Sequence, residues 1–225
     1  MKFHFNIITG GEMSKWKFSL GLALACSIGA TQAATVVSGD FISTPTHFSG
    51  FEDLPWFTTN FTHIEDGIVV SQINPGFDIT SVCGIECGMS NGKSWYPNGG
   101  DMGYTDVRME SGRKFGNLSM IVGSGFGDQA DSIYFELVNQ GAVVQTGSVL
   151  VPIGSWLGFS GNDFDELRIR NAAPGTIPTS LIGGYNGLVV DSIKVSALPV
   201  PEPATYGMLL AGVGLLGVAA RRRRD

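Results

Sequence analysis

Few residues in this chain have types and spacings that could do chemistry. Cys83 and Cys87 stand four apart in "CGIEC". In an exported domain two such cysteines most often pair, and a turn at Gly84 would let them approach disulfide geometry. The rival reading is half of a zinc site, but no second cysteine pair exists, and His47 and His63 are the only histidines outside the N-terminal segment. A serine triad needs a base, and no G-x-S-x-G elbow occurs near either histidine. "GSGFGD" is glycine-rich, yet no helix is predicted after it, so it reads as a strand-linking turn rather than a phosphate loop. Glu52, Asp53, Glu65, Asp66, Asp163, Asp165 and Glu166 could supply the two carboxylates of a glycoside hydrolase, though their spacing carries no signature.

Calcium is the metal the sequence fits best, with Asp128 and Asp131 as weak candidates at a strand entrance. Asp40, Glu52 and Asp191 could add oxygens to such a site, but the EF-hand spacing is absent. No other cofactor is expected, and metal-free surface acid is the simpler reading. Trp95 and Tyr96 are candidates for stacking on sugar rings, with Trp56 and Trp156 as further aromatics. Core packing is the competing role, and for Trp156 in "SWLGF" it is the preferred one.

The elements that must position these residues read as strands. Gly is abundant, at 32 of 225 residues, and 15% of residues are charged. Long helix-forming stretches are missing from the middle, which favours short strands joined by glycine turns. Candidate strands are "HFSGF", "GIVVSQI", "DVRMES", "NLSMIVGSG", "SIYFELVN", "AVVQTGSVLV", "WLGFSG", "DELRIRNA" and "LVVDSIKVSA". In "SIYFELV", Ile133, Phe135 and Leu137 point one way. In "ELRIRN", Leu167 and Ile169 point inward and Arg168 and Arg170 outward. That alternation is the mark of antiparallel strands buried on one face. Asn139-Gln140-Gly141 reads as the turn of a hairpin. Ser71 to Gly103 reads as one long loop region. No repeat of 20–50 residues is visible. This many short strands need two packed sheets or a barrel, and the expected fold is an all-β, jelly-roll-like antiparallel β-sandwich over residues 34–198.

From Ala34 to Val200 there are 7 basic and 17 acidic residues, a balance of −10. Such a domain repels phosphate backbones, so nucleic acid is not an expected partner.

The ends carry addresses. Residues 13–33 read as a signal peptide: Lys15 and Lys17 are its basic region, Phe18 to Ile28 its apolar run, and the cut falls between Ala33 and Ala34. "LALAC" also permits a lipoprotein reading at Cys26, with a poor fit at Ala23 and Leu24. Residues 1–12 fit no signal, and the expected translation start is Met13. At the other end, residues 199–225 hold Pro201-Glu202-Pro203, then the apolar run 204–220, then Arg221, Arg222, Arg223 and Arg224. That run is at the short edge for spanning a bilayer, and the arginines act as a membrane stop on the cytoplasmic side.

Those three parts together resemble the PEP-CTERM sorting signal of Gram-negative bacteria. The resemblance implies processing by exosortase, a membrane cysteine protease-transpeptidase, and a setting of exopolysaccharide production. It makes Pro201, Glu202 and Pro203 recognition residues of a substrate, not catalytic groups. The implied path is export, a transient inner-membrane anchor, then the cell surface or extracellular matrix. More loosely, "HFSGFEDLPWF", "WLGFSGNDFDELRIRNA" and "YNGLVVDSIKVSA" are similar to jelly-roll domains found in such proteins. The expected function is a non-catalytic surface or matrix protein associated with exopolysaccharide or biofilm. The alternatives are a secreted polysaccharide-acting enzyme of glycoside hydrolase type and a glycan-binding module on the same sandwich.

Overall fold

The computed structural model describes residues 33–81, 87, 89, 92–98, 103–127, 130–161, 164–184, 186–198 and 212–213. The signal peptide, the Pro-Glu-Pro motif, most of the apolar run, the four arginines, Cys83 and Asp128 lie outside them. No helix among the described residues is long and apolar enough to cross a membrane.

The strands are β1 (Thr35–Ser38), β2 (His47–Ser49), β3 (Phe57–Thr58), β4 (Thr62–Glu65), β5 (Ile68–Ile73), β6 (Asp78–Thr80), β7 (Tyr96–Asn98), β8 (Tyr104–Met109), β9 (Phe115–Ser124), β10 (Ala130–Asn139), β11 (Ala142–Pro152), β12 (Ser155–Ser160), β13 (Glu166–Asn171) and β14 (Leu188–Ala197). They form a five-stranded sheet in the order β1-β12-β9-β14-β2 and a six-stranded sheet in the order β11-β10-β13-β8-β5-β4. A small third sheet runs β3-β6-β7. Every pairing between these strands is antiparallel. From β8 onward the chain crosses between the two large sheets at each step except the β10–β11 hairpin.

The core lies between the large sheets because alternate residues of both turn their apolar side chains to the same layer. Ile133, Phe135, Leu137, Leu167 and Ile169 come from one sheet, and Leu118, Met120, Leu157 and Phe159 from the other. Phe135 and Phe159 meet across it edge to face, with ring centroids 5.0 Å apart. Each such aromatic stabilises the fold by about 1.5–3 kcal/mol through burial, and the edge-to-face pair adds about 0.5–1.5 kcal/mol.

Two turns set the hairpins. Gln140 (φ 52°) and Gly141 (φ 80°) are both left-handed, as are Asp66 (φ 47°) and Gly67 (φ 75°). Paired positive φ values are those of a two-residue type I′ turn, whose twist matches the strands it joins. Asp165 tightens the first turn by accepting from the Gln140 N–H.

β14 is irregular. Asp191 pairs with Ile121 and Lys194 with Ser119, so three steps on β14 match two on β9. The extra residue is a bulge at Ser192, whose φ is 51°. The bulge changes the strand's phase: Leu188 and Val190 face the core before it, Ile193 and Val195 after it. The other face of β14 is covered as well. Val189 packs with Cys87 and Met89, and a Cβ on Gly123 would stand 2.0 Å from the Cys87 carbonyl oxygen. Only glycine lets the Cys87 backbone lie so close to β9.

All nine predicted strands are present, and two expectations need correction. The 71–103 region is not one loop: β5 runs to Ile73, and β6 and β7 pair with each other inside it. Strands of three residues are too short to show a two-residue period. Arg170 does not face solvent either. It is 1% exposed, because residues 172–184 fold back over the outer face of β13. Its Nε donates to the Asn171 carbonyl and its Nη2 to the Gly184 carbonyl.

Candidate functional site

The densest group of titratable side chains sits where the β4–β5 hairpin meets the end of β2. His63 and Glu65 are two apart on β4 and share one face of the strand. Glu65 Oε2 accepts from Ser49 Oγ at 2.8 Å, Gly50 N at 3.0 Å and Phe51 N at 2.9 Å. The positive φ of Phe51, 60°, belongs to the turn that aims these N–H groups at one oxygen. Burial works against the charge of Glu65, but the bonds from Phe51, Ser49, His63 and Gly50 outweigh it and lower its pKa below 4.5.

The buried His63 ring stands with Nε2 3.5 Å from Glu65 Oε2 and 3.4 Å from Asp53 Oδ1. Phe51 packs on the ring at a centroid distance of 5.4 Å. Asp191, on the β14 bulge, is buried and its pKa is raised to about 6, first by desolvation, with the charges of Glu52 and Glu65 adding to it. Glu52 accepts from the Lys93 N–H, and the Lys93 ammonium bonds to the Leu54 carbonyl. Among the described residues, Asp53, His63 and Glu65 are the three-membered group able to offer ligand atoms to one metal ion, all within 4.8 Å of one another.

A second charged group covers the outer face of the six-stranded sheet. Asp106 is 2% exposed. Arg108 donates to its Oδ2 at 2.9 Å, while Oδ1 has no such partner. Burial, then the nearby Glu166 carboxylate, pushes Asp106 up to about 7 against the pull of Arg108 and Arg168. Arg168 pairs with Glu166 and lies 6.0 Å from the centre of the Tyr104 ring.

The other predicted site residues are scattered. Asp66 accepts from Phe48 N at 2.8 Å, and Asp165 is spent on the β10–β11 turn. Asp163 lies outside the described residues. Of the calcium candidates, Asp131 is buried and accepts from Asn171 Nδ2 and Ser132 N. Asp40 pairs with Lys194 at 2.6 Å.

The aromatics divide sharply. Trp95 is 0% exposed and belongs to the core, where its backbone bridges to Val190. It cannot stack on a sugar, which corrects that expectation. The physical reason is the bridge, which draws "SW" under the β14 strand. Tyr96 is half-buried beside Gly125. Trp156 is partly exposed, with the Lys194 ammonium 4.5 Å over its ring, so the expected core role does not hold for it. Trp56 is 67% exposed, with Phe57 and Phe77 exposed on the same small sheet and its approach.

The His63 grouping was missed from sequence because Asp53 comes from a loop ten residues upstream. The signal available was the T-H-I-E alternation ending in Asp66-Gly67, which marks β4 and its hairpin.

No curated protein matches the chain. The family model of the PEP-CTERM protein-sorting motif matches residues 199–224. That motif implies export and membrane-anchored sorting to the cell surface, with exosortase as the processing enzyme. The chain therefore joins a domain of antiparallel sheets to a PEP-CTERM sorting motif, which implies an exosortase-sorted extracellular protein.

Proposed function

We propose that this is a non-catalytic protein of the cell surface or extracellular matrix, associated with exopolysaccharide or biofilm. The observation that carries the reading is how the sandwich uses its carboxylates. Glu65, Asp66 and Asp165 each accept hydrogen bonds from the fold's own backbone, which supports a structural use of these carboxylates. A glycoside hydrolase remains the weaker alternative.

The rest of the reading follows the order of export. The signal peptide 13–33 is removed at Ala33–Ala34, directly before β1 begins at Thr35. Residues 204–220 anchor the chain in the inner membrane for a time, with Arg221 to Arg224 as the stop. Exosortase recognises Pro201-Glu202-Pro203 and processes the tail. The remaining domain is a jelly roll: the sheet orders β12-β9-β14-β2 and β11-β10-β13-β8 are those a wrapped antiparallel hairpin gives. Cys83 and Cys87 form a disulfide, with the Cys87 carbonyl lying against Gly123 of β9. Structural calcium has little support, since Asp131 is already engaged by Asn171 and Ser132.

Glycan contact belongs to the exposed Trp56 rather than to Trp95, with Phe57 and Phe77 beside it. Cosedimentation of the processed protein with exopolysaccharide from the producing cells tests this. Binding that weakens severalfold in Trp56→Ala, without release of reducing ends, is expected. Release of reducing ends, or no sedimentation of the wild type, would sink the reading.

A further inference from the structure

We propose that Asp53, His63 and Glu65 form a site for a first-row divalent cation of the zinc type. The argument starts from two distances. His63 Nε2 lies 3.4 Å from Asp53 Oδ1 and 3.5 Å from Glu65 Oε2. Charge-assisted hydrogen bonds close to about 2.7–2.9 Å. Zinc with bonds of about 2.0–2.1 Å to nitrogen and oxygen holds neighbouring ligand atoms about 3.3 Å apart in a tetrahedron. The Asp53–His63 spacing fits an edge of that tetrahedron, and Asp53, His63 and Glu65 each offer a ligand atom within 4.8 Å of the others.

The ligands are also held as metal ligands need to be. Ser49, Gly50 and Phe51 fix the Glu65 carboxylate by three hydrogen bonds on Oε2, which leaves Oε1 as its oxygen for a metal. Outer bonds of this kind orient a ligating carboxylate. The His63 side chain is 9% exposed, and Phe51 packs against its ring. Asp53 is the exception: its side chain is 67% exposed, so it closes the site from the solvent side. In the tautomer with its proton on Nδ1, the His63 ring turns the Nε2 lone pair toward two carboxylates, an arrangement that a cation between them satisfies. A nitrogen ligand beside two carboxylates suits zinc and its neighbours, whereas calcium and magnesium take oxygen alone.

The full-length chain in detergent, oxidised and freed of metal by chelation, would be titrated calorimetrically with zinc chloride and, separately, calcium chloride. One zinc per chain is expected, with a Kd at least tenfold weaker in both His63→Gln and Asp53→Ala. Asp53 is exposed, so its variant keeps the fold even if the buried His63 variant does not. Zinc should raise the melting temperature of the wild type more than that of Asp53→Ala at the same concentration. No zinc uptake, equal uptake by wild type and Asp53→Ala, or a preference for calcium would overturn the assignment.

Discussion

Asp106 on β8 stands directly opposite Arg168 on β13 in the antiparallel register. Arg168 faces Glu136 of β10 on its other side, so one guanidinium is set between two carboxylates. With Glu166 and Arg108 in the adjoining pair, the outer face of the six-stranded sheet is a closed charge network and not a bare polar surface.

That network predicts a pH dependence. The Asp106 pKa rises from 3.8 to about 7 on folding. A raised acid binds its proton more tightly in the native state, so its contribution is full below pH 3.8 and is lost as pH rises to about 7. Asp106→Asn, which mimics the protonated form, should leave stability at pH 4 unchanged. At pH 8 it should add on the order of 1–2 kcal/mol. Urea unfolding at the two pH values checks this, and an equal effect at both would refute it.

Glu65 behaves in the opposite sense. Its pKa is lowered from 4.5, so its stabilisation is present above that value and fades as pH falls below it. Glu65→Gln weakens the three bonds from Ser49, Gly50 and Phe51 and should cost about 2 kcal/mol at pH 7. The gap between variant and wild type should narrow below pH 4. Denaturant midpoints across this range provide the measurement.

Arg170 ties the 172–184 segment to β13 through the Gly184 carbonyl. Arg170→Met keeps much of the volume and removes the tie. We expect a loss of about 1–3 kcal/mol, since the buried Asn171 carbonyl is left without this donor. Limited proteolysis should cut the variant within 172–184 at protease levels that leave the wild type intact.

The sorting signal predicts a change of address and not of stability. With Pro201, Glu202 and Pro203 all replaced by alanine, the chain should stay in the membrane fraction at its unprocessed mass. Western blotting of fractionated cells reads this directly. Wild-type processing and release in that variant would remove the role assigned to the motif.

Most strands were legible because one-sided burial writes a period of two into the residues that form them. Ile133, Phe135 and Leu137 alternate inward, as do Leu167 and Ile169. The short strands β3, β6 and β7 were not legible, since two or three residues carry no period. β4 had its signal in Asp66-Gly67, and its weight is clear only once β5 is known to pair with it.

The sorting signal needed no fold to be read, because a motif, an apolar run and a basic cluster act in sequence order on a membrane and an enzyme. The alternation of polar and apolar residues likewise settled the all-β class. Tertiary structure decided what composition leaves open: that Trp95 is core while Trp56 is exposed, that Arg170 lies under a loop, and that Asp53 meets His63 and Glu65. The physical reason is the same in each case. Burial and proximity depend on which segments the chain brings back against one another, and such long-range contacts leave no local pattern. The acidic cluster around His63 is therefore a product of the wrapped sandwich, built from β2, β4 and the loop between them.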